Sequence, residues 1–507
     1  MSERHDCARR RVLRGAAAIA AVSALRRFAS PARAASRTMR LTDLSAAEAV
    51  ARMSRGEITA ERYAQALIAR AESARALNAF ISFEPERVLE AARARDRERR
   101  AGSTPGPLFG LPVPVKDSVN THDYPTTGGT PALKNFRPRE DAPLVAALRE
   151  AGAIVLGKTN LHELSYGWTS NNLAFGAVHN PYDPTRIPGG SSGGTAAAIA
   201  ARIAPLGVAE DTEGSIRVPA AFCGIAGFRP TTGRYSTRAC VPISPLFDQV
   251  GPLARSVADL ALFDAVAAPD ARALAAPSVH GIRLGVVRDY FFADLDPEVE
   301  RITRAALSRL QDAGIVLVEG KLPGLAHLID LTTNQVQNHD VRVALPQYLK
   351  EYGAGVTFDE LIARASPDIQ AVFRSDVLPG GANFVTEAVY AAARDRYLPA
   401  LRTLYREYFA RARVDALVFA AIRVPAPRIG EETTIDIGGR AVPFEAAVAR
   451  NIAPGSTAGL PGLVLPAGLT RAGLPVALEF DAPSGGDRAL LALGLSLERA
   501  LGAMPAP

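Results

Sequence analysis

Two short segments hold the residues best suited to chemistry. Gly189-Gly190-Ser191-Ser192-Gly193-Gly194 sets two serines among four glycines, and Asp211-Thr212-Glu213-Gly214-Ser215-Ile216-Arg217 sets a third between a carboxylate and a guanidinium. A serine hydroxyl attacks an acyl carbon only when a base takes its proton, so these serines raise the question of where a base stands. A flexible Gly/Ser linker has the same composition as the first segment. A linker, however, does not run straight into an alanine-rich helical stretch at 195–203 and an apolar strand at 206–209. Glycine at these positions is read instead as letting backbone approach a ligand, with helix-start N–H groups facing negative charge. Residues 189–193 also spell G-x-S-x-G, a nucleophile elbow that must directly follow an apolar strand. Residues 182–188, with Pro184 and Pro188, cannot be a central strand, which excludes the elbow. His162-Glu163 opens like a zinc-binding helix, but position 166 is Tyr166 and the second imidazole is missing. No metal or cofactor is expected.

Taken together, the two segments resemble the amidase signature family. Gly110-Leu111-Pro112-Val113-Pro114-Val115-Lys116-Asp117 is similar to that family's lysine segment, and Ser191 and Ser215 stand at the family's serine spacing. Residues 224–231, 248–255, 459–461 and 473–476 fit as well; 222–234 and 481–488 look most like hydrolases of indoleacetamide and mandelamide. The resemblance implies a linear-amide hydrolase of a small, aryl or arylacetyl carboxylic amide, working through a Ser–cis-Ser–Lys triad. Ser215 is then the nucleophile, Ser191 the bridging serine at a cis peptide bond, and Lys116 the base. An exposed lysine has a pKa near ~10.4, and burial lowers it by disfavouring the charge, so activity should rise with pH. Backbone N–H groups of Thr212, Glu213, Gly214 and Ser215 form the expected oxyanion hole. Ser192, Asp211 and Arg217 brace the network, Arg217 by pairing with Asp211. Two residues depart from the family pattern. Glu213 replaces a glycine and is expected to face the acyl or amine pocket and disfavour acidic substrates, and Glu210 replaces a common threonine without an assignable role. Two alternatives stand beside this reading: the glutaminase-type subunit of a tRNA-dependent amidotransferase, and a non-catalytic binding protein on the same fold.

These residues must be held by an alternation of strands and helices. Apolar runs at 79–83, 113–115, 154–156, 206–209, 282–287, 315–318, 417–420, 462–466 and 476–480 read as strands. Helical spacing covers two helices within 44–76, and 142–150, 298–312, 388–412 and 487–501. The pattern predicts an α/β fold, a large mixed and mostly buried sheet with helices on both faces. Residues 320–450 are more polar and read as a variable helical layer on the substrate side. Tyr166, Trp168, Phe175 and Phe247 flank the motifs as core residues, with one or two able to line a pocket.

Bulk composition adds limits. The chain has 507 residues, 48% hydrophobic and 22% charged, an ordinary globular balance. Its formal charge of +6 sits in residues 1–34, where eight arginines face Glu3 and Asp6; the remainder is neutral. A neutral body carries no electrostatic footprint for nucleic acid. Residues 1–34 resemble a twin-arginine signal peptide: Arg9-Arg10-Arg11-Val12-Leu13-Arg14, an alanine-rich run at 15–25 too short to span a bilayer, and Ala32-Arg33-Ala34 as a cleavage site. The expected product is a periplasmic or secreted amidase domain, 35–507, without stable membrane insertion; the sequence is compatible with a homodimer. Cys223, in an apolar run, reads as a buried free thiol, not as Cys240's disulfide partner.

Overall fold

The central sheet has eleven strands in the computed structural model, which describes residues 40–268 and 274–507. The signal-peptide reading therefore lies outside the described residues. From one edge to the other the strands are Phe80–Ser82, Ile154–Thr159, Pro112–Lys116, Leu206–Asp211, Gln249–Ala254, Ala226–Arg229, Gly462–Leu469, Pro475–Asp481, Ala416–Ala420, Arg283–Val286 and Val316–Glu319. The sheet is mixed. Pro112–Lys116 runs parallel to both its neighbours, and Gln249–Ala254 antiparallel to both of its own. Every residue of Pro112–Lys116, Leu206–Asp211, Gln249–Ala254 and Pro475–Asp481 is buried. Burial without alternation means that both sheet faces are covered.

Local signals account for many helix starts. Ser45 and Glu48 form a reciprocal cap on Ala46–Ser54, as Thr357 and Glu360 do on Phe358–Arg364. Pro143 opens Pro143–Glu150, where a missing N–H costs nothing. Gly193–Ala200 is buried at all its positions and packs on the sheet, as its small side chains demand.

The structure adds to the sequence reading in three places. Ala226–Arg229 and Gln249–Ala254 are central strands, although Gly227, Gly251, Pro252 and Arg229 disfavour strand structure locally. The helix expected over 388–412 is present from Glu387 to Ala412 and carries a π-type turn, Ala393–Tyr397, in its course. The 320–450 layer is largely helical, yet it includes the sheet strand Ala416–Ala420 and a hairpin, Thr434–Ile437 with Arg440–Pro443. Cys223 and Cys240 are buried free thiols.

Candidate active site

Lys116 is the last residue and Glu210 the last but one of two parallel neighbouring strands whose register pairs Val115 with Val208. The C-terminal ends of parallel strands are where open α/β sheets place ligands. Both side chains are buried, and Lys116 Nζ lies 2.8 Å from Glu210 Oε2. The same Nζ donates to Ser191 Oγ at 2.6 Å and to the Glu210 carbonyl at 3.3 Å. Glu210 collects further donors: Ser165 Oγ at 3.1 Å and Ser118 Oγ at 3.4 Å to Oε2, and Thr212 Oγ1 at 3.2 Å to Oε1.

Ser191 follows a cis peptide bond from Gly190. Its carbonyl accepts from the His162 N–H at 3.1 Å and from Ser170 Oγ at 3.2 Å, fixing the loop. The glycines here make room for the protein's own backbone: a Cβ at Gly190 would stand 2.7 Å from the Trp168 carbonyl carbon, and one at Gly194 would strike the Asn160 carbonyl. The close approach read from the sequence is thus protein to protein. Ser192 joins the three segments, its N–H donating to the Ser215 carbonyl at 3.3 Å and its hydroxyl to the Glu210 carbonyl at 3.1 Å.

The turn carrying Ser215 is built around Asp211. Its carboxylate accepts from Gly214 N–H at 2.8 Å, Ile216 N–H at 3.0 Å and Arg217 Nε at 3.1 Å. Gly214 was expected among the oxyanion donors, but its N–H is taken by Asp211. The N–H groups of Thr212, Glu213 and Ser215 carry no hydrogen bond among the described residues and remain able to face an oxyanion. Gly214 sits at φ +111°, where a Cβ would meet Ile452 and Val218, so this position requires glycine. Glu213 stays out of the left-handed region, which removes the backbone objection to a glutamate there.

Below the turn lies a charge network that sequence reading found only in part. Arg217 binds Asp211 and also Glu479 and Ser456, while Arg229 donates to the Asp211 carbonyl at 2.6 Å. Burial alone would raise the Asp211 pKa, but the two guanidinium groups hold it well below the usual carboxylate range. Burial likewise opposes the charge on Arg217, and Asp211 and Glu479 more than offset it. Burial pushes Glu479 well up and Asp481 to about 6.

Ser215 lines a cavity of about 170 Å³. Lys116 and Ser191 lie behind it, fully buried. Ser191 and Ser215 are the one pair in the expected line without a direct hydrogen bond in the structure; such contacts commonly close when substrate binds. Tyr166 and Trp168 line the cavity together with Ile243 and Val372, whereas Phe247 is core. Phe175 does not line it. The helical layer contributes Asn334, Gln337, Asn338, Asp376 and Glu445. Glu213 faces this cavity, as expected, with its Oε2 accepting from Gln337 Nε2 at 2.9 Å. Burial, followed by the charge of Glu445, pushes its pKa up to about 8.

Sequence reading missed Glu210 as the lysine's partner, and Arg229, Glu479 and Gln337. Glu210 and Glu479, acids inside strands that begin apolar and are buried on both faces, were the available signal, because buried charges require partners. Elsewhere, His122, Asp123 and Asp141 bring ligand atoms within 4.8 Å of one another. Arg149 already pairs with both carboxylates, at 2.7 and 3.0 Å.

Known proteins resemble this chain along most of its length. A family model described as Amidase matches residues 62–491. The indoleacetamide hydrolase of Agrobacterium vitis is 38% identical over 459 residues, covering 90% of this chain and 97% of that protein. The mandelamide hydrolase of Pseudomonas putida is 37% identical over 486 residues, covering 92% and 93%. A crystal structure of an amidase superposes with a TM-score of 0.81 at 32% identity, covering 90% of this chain and 100% of that one.

Proposed function

Because this chain belongs to the amidase family and is an amide hydrolase, we propose that Ser215, Ser191 and Lys116 form its proton-transfer line and that its substrates are small aryl or arylacetyl amides. The observation that carries this reading is the 2.6 Å contact between Lys116 Nζ and Ser191 Oγ, sealed behind the cavity that Ser215 faces. Ser215 Oγ attacks the amide carbon, and its proton passes to Ser191 as the Ser191 proton passes to Lys116. The N–H groups of Thr212, Glu213 and Ser215 receive the developing oxyanion, a contribution of about 3 kcal/mol for each donor that engages. The line then returns a proton to the departing nitrogen, and water hydrolyses the acyl-enzyme.

Two features support the substrate class. The cavity is smaller than the ~300 Å³ usual for drug-sized ligands, and its walls offer Trp168, Tyr166, Ile243 and Val372 to a single ring. The relatives' names, indoleacetamide and mandelamide hydrolase, denote small amides with one aromatic group, a fused bicycle in the first and a single ring in the second. Glu213 supplies the charge filter. Below about pH 8 its carboxyl is protonated and above that it is anionic, so preference for a neutral amide over a carboxylate-bearing one should grow as pH passes through 8. A like-charge repulsion of ~1.4 kcal/mol corresponds to about tenfold. Ammonia release from phenylacetamide and a carboxylate-bearing analogue between pH 6 and 9 measures this. Glu213→Gln should abolish the pH dependence of the ratio; an unchanged ratio would remove Glu213 from the filter.

We further propose that residues 1–34 direct twin-arginine-type export, on the strength of the basic run and the alanine-rich segment. Replacing Arg9 and Arg10 by lysine should retain the chain in the cytoplasm. Cell fractionation that finds wild type and variant in the same compartment would refute this.

A further inference from the structure

A lysine that serves as a base must first be without its extra proton. In this structure Lys116 Nζ has three acceptors around it: Ser191 Oγ at 2.6 Å, Glu210 Oε2 at 2.8 Å and the Glu210 carbonyl at 3.3 Å. Three acceptors match the three N–H bonds of an ammonium, a form that cannot take a proton from Ser191. That proton has to leave. Among the described residues, Glu210 Oε2 is the one ionisable acceptor within hydrogen-bond reach of Nζ.

We propose that Glu210 is the proton partner of Lys116: it takes the ammonium proton onto its carboxylate and so frees the amine that accepts from Ser191. This inference rests on the catalytic reading above. One N–H bond of Lys116 breaks and one O–H bond of Glu210 forms, turning an ammonium–carboxylate pair into an amine–carboxylic acid pair. No proton enters or leaves the pair, and its net charge stays zero. Burial favours the exchange because it penalises two separated charges more than two neutral groups. Through acylation the amine gains the Ser191 proton, and on collapse of the tetrahedral intermediate it gives that proton back towards the leaving nitrogen, while Glu210 keeps its own. Glu210 touches no substrate and acts through Lys116, so it is a positioning residue.

A second observation agrees. Thr212 Oγ1 lies 2.7 Å from Asp248 Oδ1 and 3.2 Å from Glu210 Oε1. One hydroxyl has one proton, so one of these two carboxyl groups carries a proton itself, a need that either Glu210 or Asp248 meets. Glu210 and Asp248 both line another cavity, of about 480 Å³, which is not the one that Ser215 faces.

The consequence is a pH profile. A lone lysine base gains about tenfold in activity for each pH unit until it has lost its proton. An internal transfer does not depend on pH, so wild-type kcat on a neutral amide should be flat between pH 6 and 8. The charged and titratable groups facing the pair are Asp248, His162, Cys240 and the adjacent Asp117–Lys158 pair. Burial keeps His162 neutral, at about 4, and holds the Cys240 thiol protonated. Burial and Glu210 push Asp248 to about 7, so Asp248→Asn serves as a control and should leave the profile flat.

Glu210→Gln keeps the hydrogen-bonding shape but cannot take the proton. Its kcat should fall at least tenfold at pH 6, recover by about tenfold per pH unit towards alkaline pH, and leave KM within about twofold; Glu210→Asp should restore the flat profile. A Glu210→Gln enzyme with the wild-type profile, one more active than wild type at pH 7, or one uniformly slower at every pH would overturn the proposal. If Glu210→Gln does not fold, wild type decides: a tenfold rise per unit between pH 6 and 8 overturns it. Should Ser215→Ala retain activity, the catalytic reading falls; should Ser215→Ala be inactive and the wild-type profile slope, only the role of Glu210 falls.

Discussion

Ser215→Ala is expected to lower kcat on the order of 10⁶-fold, because it removes the only covalent acceptor for the acyl group. That factor corresponds to ~8 kcal/mol of transition-state stabilisation. Lys116→Ala should approach the same loss, since Ser191 would then have nowhere to pass its proton beyond 2.6 Å. Residues that act as a unit are non-additive, so the double variant should be no slower than Ser215→Ala alone. A serine-reactive fluorophosphonate gives an independent readout. It should label Ser215 in wild type, fail on Ser215→Ala and react far more slowly with Lys116→Ala. Residual ammonia release within tenfold of wild type in Ser215→Ala would end the proposal, and fast labelling of Lys116→Ala would remove the lysine from the line.

Stability should be most sensitive at Arg217. Its guanidinium is fully buried, pairs with the Asp211 carboxylate and also binds Glu479 and Ser456. Arg217→Met fills similar volume but leaves those carboxylates with one partner fewer. Breaking a buried pair from one side typically costs about 3–5 kcal/mol, because the remaining charge stays desolvated. Arg229 still reaches Asp211, which places the expected loss towards the lower figure. Activity should fall too, since Asp211 holds the Gly214 and Ile216 N–H groups that shape the nucleophile turn. The pH sign follows from the lowered Asp211 pKa. Its pairing stabilises the fold fully above the unfolded value of about 3.9, and the contribution is lost as pH falls towards the folded value. The gap between wild type and Arg217→Met should therefore narrow below about pH 4. Urea unfolding at pH 7 and pH 3 tests both statements; a difference under ~1 kcal/mol at pH 7 would show that the network carries little stability.

The family and most of the elements are legible in the amino-acid sequence alone. Ile154–Thr159, Leu206–Asp211 and Pro475–Asp481 were legible because each opens on a short apolar run, a local property of strands buried on both faces. Lys116, Ser191 and Ser215 were legible because each sits in a short segment of unusual composition. What the tertiary structure decided was pairing across distance. Ala226–Arg229 and Gln249–Ala254 became central strands against the preference of their own glycines and proline, because the burial offered by their neighbours outweighs local propensity. Glu210 became the partner of Lys116 only through the register that sets Val115 beside Val208. Glu479 met Arg217 from a strand 262 positions away. Backbone preference and apolar periodicity act over a few residues and are written in any window of the chain. The choice of which charge answers which depends on strand order and register, and these form only when the whole sheet assembles.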